Sequence, residues 1–286
     1  MGFHRPRHRF SVNFRHGRLA LVNAKSPASS SDGTQIAFWR EGSGPPLLLV
    51  HGGLCDHLAW YFVTPLLARH FTVWSFDRRG HGKSGDTLPY SIDREVEDID
   101  ALLRIIGEPV CLLGHSAGAI LSLLAALRGT HFLKLILYEP PFIVDNARSR
   151  PAPDILREMQ RLLAEGKPDD ALRIAMRETV GLSDAEIDRM RSQPGWEHLR
   201  ESARGIPNDW KIWDQPFPEN LRDLQTPTLL LEGTESPAWI RTSTQAVRDG
   251  LPAAALVELV GQGHSAMVTS PEIFAVKVLE FASPID

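Results

Sequence analysis

The chain has 286 residues, long enough for one large α/β domain with room for an inserted subdomain. An apolar share of 43% and a charged share of 23% are ordinary for a globular protein, and a formal net charge of -4 gives no electrostatic ground for a nucleic-acid partner. No apolar run is long enough to span a membrane, and two cysteines, Cys55 and Cys111, make neither a disulfide framework nor a metal-ligand spacing, so the expectation is a cytoplasmic protein.

Residues 1–25 stand apart. They carry Arg5, Arg7, Arg9, Arg15, Arg18 and Lys25, with no acidic residue and no apolar core of a secretory signal. They read as a basic, disordered extension. Asp32-Gly33 is a turn signal before a strand over 35–40, which suggests an N-terminal hairpin. Leu47 to Val50 is a buried strand ending at His51-Gly52-Gly53. A helix is expected over 59–69, then a strand over 71–76 ending at Asp77-Arg78-Arg79-Gly80-His81-Gly82-Lys83-Ser84. Val96, Ile99, Leu102, Leu103 and Ile106 recur at helical spacing, and Ser91 can cap that helix.

Next comes Val110 to Leu113, a short apolar strand, and then Gly114-His115-Ser116-Ala117-Gly118. After Gly118 the chain is rich in helix formers. A strand that turns directly into a helix strains its corner residue, and side chains at the flanking positions would collide with backbone. The pattern therefore lifts the Ser116 hydroxyl to the C-terminal edge of a sheet, at the positive end of a helix. Another strand is expected over 132–138.

Strands that alternate with helices and are apolar throughout belong to a parallel sheet covered on both faces. Such sheets gather catalytic groups at the carboxyl ends of their strands. Residues 140–225 break the rhythm. They hold no convincing strand and read as amphipathic helices over 155–164, 168–179, 184–192 and 197–204. This is a helical cap inserted between 26–139 and 226–286, with Trp210 and Trp213 as candidates to line a substrate pocket. The α/β pattern resumes with a strand over 228–232, a helix over 239–251 and a last strand over 254–260. Gly261-Gln262-Gly263-His264 follows, and Ser270-Pro271 opens a final helix.

The order serine, acid, histidine, together with the glycine-rich strand ends, resembles the α/β-hydrolase superfamily. The resemblance rests on His51-Gly52-Gly53, the segment Asp77 to Ser84, Gly114 to Gly118 and Gly261 to His264, and it covers the chain from about residue 29 onward. It implies a mostly parallel eight-stranded sheet flanked by helices, with a cap. It assigns Ser116 as nucleophile, His264 as base, and the backbone N–H groups of Gly53 and Ala117 as the oxyanion hole, with Leu54 the alternative to Gly53. His51 resembles a structural histidine of the family. The family's commoner acid position, counted from Gly233, holds Ser236, with Glu235 one residue early. A second family position, after the sixth strand, holds Glu139. Both glutamates stay open, with Glu139 favoured.

The implied activity is a serine hydrolase for a small or medium ester, lactone or thioester, working through an acyl-enzyme and without metal or organic cofactor. Serine at the elbow argues against the epoxide-hydrolase and haloalkane-dehalogenase chemistries of this fold, which use aspartate there. A cofactor-free perhydrolase, a carbon–carbon bond hydrolase or a lyase would show the same triad, and a non-catalytic ligand-binding module could share the fold. The expected partner is a small-molecule substrate, with neither nucleic acid nor membrane.

Overall fold

The computed structural model describes residues 22–23, 27–144, 152–193 and 195–283. Its central sheet has eight strands: β1 (Val22–Asn23), β2 (Phe38–Glu41), β3 (Pro46–Val50), β4 (Thr72–Phe76), β5 (Cys111–His115), β6 (Lys134–Tyr138), β7 (Thr228–Gly233) and β8 (Ala255–Leu259). Their order across the sheet is β1-β2-β4-β3-β5-β6-β7-β8. Only β1 and β2 run antiparallel to their neighbours. Most of the basic segment 1–25 lies outside the described residues. Val22 and Asn23 are the exception: they pair with Arg40 and Trp39, on the backbone groups that a sheet edge leaves open. Ala28–Ser29 and Gln35–Ile36 form a separate hairpin around Gly33.

Strands β3, β5 and β6 are apolar on both faces because both faces are covered. One side packs on helices α1 (Ile92–Ile106) and α2 (Ala117–Leu127). The other packs on the C-terminal helix, through Phe274, Ala275, Val278 and Ala282. The helix expected over 59–69 is broken into a 3-10 turn, His57–Trp60, and a single turn, Thr64–Leu67. Pro65 is the reason: it lacks an N–H and starts a new turn rather than continuing one. Ser91 caps α1 as expected. Ser270 makes no side-chain cap to the final helix; its carbonyl accepts the Phe274 N–H, and Pro271 stands in the first turn.

Between β6 and β7 the described residues hold helices and no strand. The longer ones are α3 (Pro153–Ala164), α4 (Pro168–Ala175), α5 (Asp184–Arg191), α6 (Trp196–Ser202) and α7 (Ile206–Trp213). They bury a core of their own that includes Met159, Leu172, Ile187, Trp196 and Trp210, and this core also takes in Leu54 from the sheet side. No helix is long and apolar enough to cross a membrane among the described residues.

Register places the site. Val50 pairs with Gly114, His115 with Tyr138, Tyr138 with Leu231, and Gly233 with Leu259. The residues that follow these positions, 51–54, 116, 139, 234–236 and 260–264, therefore gather along one edge of the sheet.

Candidate active site

Ser116 sits between β5 and α2 with φ 53° and ψ -123°, a conformation that costs a side-chain-bearing residue about 1–3 kcal/mol. Its neighbours have no room for a side chain. A Cβ on Gly114 would lie 2.5 Å from the Gly118 carbonyl oxygen, and one on Gly118 would lie 2.3 Å from that of Val50. The strained corner is held by a bond from the Ser116 N–H to the Tyr138 carbonyl, 2.9 Å.

Glu139 directly follows β6 and is also at positive φ, 50°. It is fully buried, and both carboxylate oxygens are engaged. Oε1 accepts from the Gly233 N–H at 2.6 Å, and Oε2 lies 2.5 Å from His264 Nδ1. A carboxylate at Nδ1 keeps the proton there and leaves Nε2 as the basic nitrogen. Glu235 is exposed and makes no hydrogen bond or ion pair with His264 among the described residues. Ser236, at the commoner acid position, is buried with its hydroxyl unpartnered.

The loop that carries His264 is clamped from the sheet. His115 Nε2 donates to the His264 carbonyl at 2.8 Å. The Tyr138 hydroxyl donates to the Gly263 carbonyl and accepts from the Ala266 N–H. Burial, with the neighbouring His264, pushes the pKa of His115 well below the ordinary value, so its ring is neutral.

On the other side of Ser116, a Cβ on Gly52 would lie 3.1 Å from the Ser116 Cβ. The Gly53 N–H makes no hydrogen bond among the described residues, and Ala117 opens a helix, where backbone N–H groups have no intrahelical acceptor. The Leu54 N–H is different: it donates to Asp209 Oδ2 at 2.8 Å. As an oxyanion donor, Leu54 is thus already committed to a carboxylate. Gly53 is pressed by α7, since a Cβ there would meet Trp213 at 2.5 Å and the Asp209 carboxylate at 3.1 Å. Trp213 therefore lies over this loop, while Trp210 is 5% exposed within the cap core.

The segment after β4 supplies a buried ion network that nothing local in the sequence announces. Arg78 donates through Nε and Nη2 to Glu95, and through Nη1 to Asp209 Oδ1 at 2.9 Å. Burial opposes its charge, but Glu95 and Asp209 outweigh this and raise its pKa above the arginine range. Burial likewise opposes the charge of Asp209, yet His81 and Arg78 hold it down at about 2. His51 is fully buried, accepts the Arg78 N–H at Nε2 and donates from Nδ1 to the Gly52 carbonyl, which makes it a structural group.

Burial pushes the Cys55 and Cys111 thiols up to about 12, which keeps both as protonated, poorly nucleophilic thiols. Asp56, His57 and Asp77 stand close enough to share an ion. Their atoms are occupied internally, however: Asp77 accepts from His57 and from the Lys83 N–H, and Asp56 from the Leu58 N–H.

The model of the alpha/beta hydrolase family matches residues 47–277. The chain belongs to the alpha/beta hydrolase family. An alpha/beta hydrolase of Sphaerobacter thermophilus is 39% identical to it, with 90% of this chain and 100% of that one covered and a TM-score of 0.83. The 2-hydroxy-6-oxo-6-(2'-aminophenyl)hexa-2,4-dienoic acid hydrolase of Metapseudomonas resinovorans is 26% identical over 271 residues, 89% of each chain. A stretch of 98 residues, 32% of this chain, is 39% identical to a probable oxidoreductase of Mycobacterium tuberculosis but covers only 17% of that relative's length. Within this family, the chain thus joins a serine elbow to a glutamate that directly follows the sixth strand.

Proposed function

We propose that the protein is a serine hydrolase that cleaves a small or medium ester, lactone or thioester through an acyl-enzyme. The observation that carries this reading is the bond between buried Glu139 and His264 Nδ1, at the same sheet edge as the Ser116 elbow. Ser116 Oγ attacks the substrate carbonyl carbon and gives its proton to His264 Nε2. Glu139 stabilises the imidazolium formed, and the N–H groups of Gly53 and Ala117 bind the oxyanion. As the tetrahedral centre collapses, the C–O or C–S bond breaks and His264 protonates the leaving group. Water, deprotonated by His264, then attacks the acyl carbon, and the proton returns to Ser116.

One observation favours a second reading, hydrolysis of a carbon–carbon bond beside a ketone. The relative named for a 2-hydroxy-6-oxo-dienoic acid is matched over 89% of both chains. In that reading the C–C bond breaks with its electron pair on the leaving carbon as an enolate, which then takes the proton held by His264.

The test pairs a fluorophosphonate probe with a screen of p-nitrophenyl esters of rising chain length, lactones, thioesters and a vinylogous diketone. The wild type is expected to take one label, and Ser116→Ala none, with kcat lower by roughly three orders of magnitude. Labelling that persists in Ser116→Ala refutes the nucleophile. Turnover of the diketone alone moves the assignment to carbon–carbon cleavage.

A further inference from the structure

The direction of the Gly53 N–H is fixed from both sides. Upstream, the Gly52 carbonyl accepts from His51 Nδ1 at 2.8 Å and from Arg78 Nη1 at 3.2 Å. The Gly52–Gly53 peptide is planar and trans, so fixing its carbonyl points the Gly53 N–H the opposite way. Downstream, the Leu54 N–H is held by Asp209 Oδ2, and Leu54 sits at φ 55°, a conformation a leucine keeps only when its surroundings impose it. One side chain closes both halves. Asp209 Oδ1 takes the same Arg78 Nη1 that donates to the Gly52 carbonyl. Glu95 occupies the Nε and Nη2 edge of that guanidinium, so Nη1 is what remains for the loop and for Asp209.

Asp209 is not part of the sheet. It lies on α7 of the cap, fully buried, beside Trp213 over Gly53. Simple attachment of the cap has another agent. Arg204 donates to the carbonyls of His81, Gly82 and Ser84, and makes no hydrogen bond to residues 52–54 among the described residues.

We propose that Asp209 is a positioning residue for the oxyanion hole: from the cap it clamps the backbone on both sides of Gly53 and presents that N–H to the developing charge. The proposal rests on the serine-hydrolase reading. Under it, the cap governs the rate of the chemical step as well as access to the site.

The experiment compares Asp209→Asn with Arg204→Ala. An asparagine has a single acceptor oxygen and cannot serve Leu54 and Arg78 on separate oxygens. Asp209→Asn is expected to lower kcat on the best p-nitrophenyl ester by roughly 10²-fold, the scale of losing one oxyanion donor, with KM within about threefold. Affinity for an aryl trifluoromethyl ketone, whose serine adduct carries the oxyanion, should fall by a similar factor. Arg204→Ala should lower Tm and leave kcat and ketone affinity within about threefold. A folded Asp209→Asn with near-wild-type kcat overturns the proposal. So does a loss of kcat with unchanged ketone affinity, because that is the mark of a structural role.

If Asp209→Asn does not fold, the crystal structure of the wild-type phosphonate adduct decides. The phosphonyl oxygen is expected on the N–H groups of Gly53 and Ala117, with Asp209 still on Leu54. An oxygen bound by the Leu54 N–H, with Asp209 displaced, overturns the proposal. A wild type that forms no adduct refutes the serine-hydrolase reading itself, and the proposal falls with it.

Discussion

Glu139 and His264 meet at 2.5 Å although 125 residues and the entire cap separate them in sequence. The second oxygen of Glu139 is tied to the Gly233 N–H, so the carboxylate cannot turn away from the imidazole without breaking a buried bond. Removing its charge while keeping its shape should leave the fold intact and slow the chemistry. Glu139→Gln is expected to reduce kcat by about 10³- to 10⁴-fold, and Glu235→Gln by less than about tenfold. Steady-state kinetics of the two variants on one ester checks this. A large loss at Glu235 would return the acid to the seventh strand.

The two cap tryptophans should behave differently. Trp210 is buried in the cap core, and its truncation to alanine should destabilise the protein by about 3–5 kcal/mol. Trp213 is half-buried and lies against Gly53, so Trp213→Ala should alter relative kcat/KM across ester chain lengths more than it lowers Tm. Thermal melts and a chain-length series on both variants separate the two effects. A flat chain-length profile in Trp213→Ala would make it a packing residue as well.

A contact between the inserted helices and the loop after β3 is expected to respond to pH. His198 of α6 faces Asp56 with Nε2 3.2 Å from Oδ2, and Glu201 and Asp77 add negative charge around it. The hydrogen bond to Asp56 raises His198 above its ordinary 6.5. Burial pushes Asp56 up, but the His198 bond and charge outweigh it and hold the carboxyl at about 2. A raised histidine contributes fully below its unfolded pKa and loses its contribution as pH rises through the folded one. A depressed aspartate contributes above its unfolded 3.8 and loses it as pH falls toward about 2. The pair therefore stabilises most between about pH 4 and 6.5. The Tm of the wild type minus that of His198→Gln, followed from about pH 5 to 9, should be largest at the acid end and shrink as pH rises. A difference that is constant, or that grows toward pH 9, contradicts this.

What could be read from the sequence was what is encoded locally. Consecutive apolar residues marked β3, β5 and β6, and the glycines beside Ser116 marked the elbow, because steric demands act within a few residues. Glu139 was only half legible. It stands at a strand end, but nothing near it tells that Gly233 and His264 will converge on it. The Arg78 network was not legible at all. Arg78 and Asp209 are 131 residues apart, and a buried ion pair between distant residues leaves no periodicity to detect. The helix that carries Asp209 was also missed, because Gly205 and Pro207 look like a break. The proline falls instead in its first turn, where its missing N–H costs nothing.

Glu139 stands immediately before the inserted helices, and this bears on any attempt to graft a different insertion onto this scaffold. A graft joined directly after Glu139 would pass its own slack to the carboxylate. Beyond it, the Pro140 carbonyl is fastened by the Ser243 hydroxyl at 2.6 Å, and Phe142 is buried against Phe217. Those contacts hold the first residues after Glu139 in place. A chimera cut downstream of Phe142 and rejoined upstream of Phe217 keeps both contacts and leaves the surroundings of Glu139 undisturbed, whereas one cut upstream of Phe142 or rejoined beyond Phe217 would have to rebuild them.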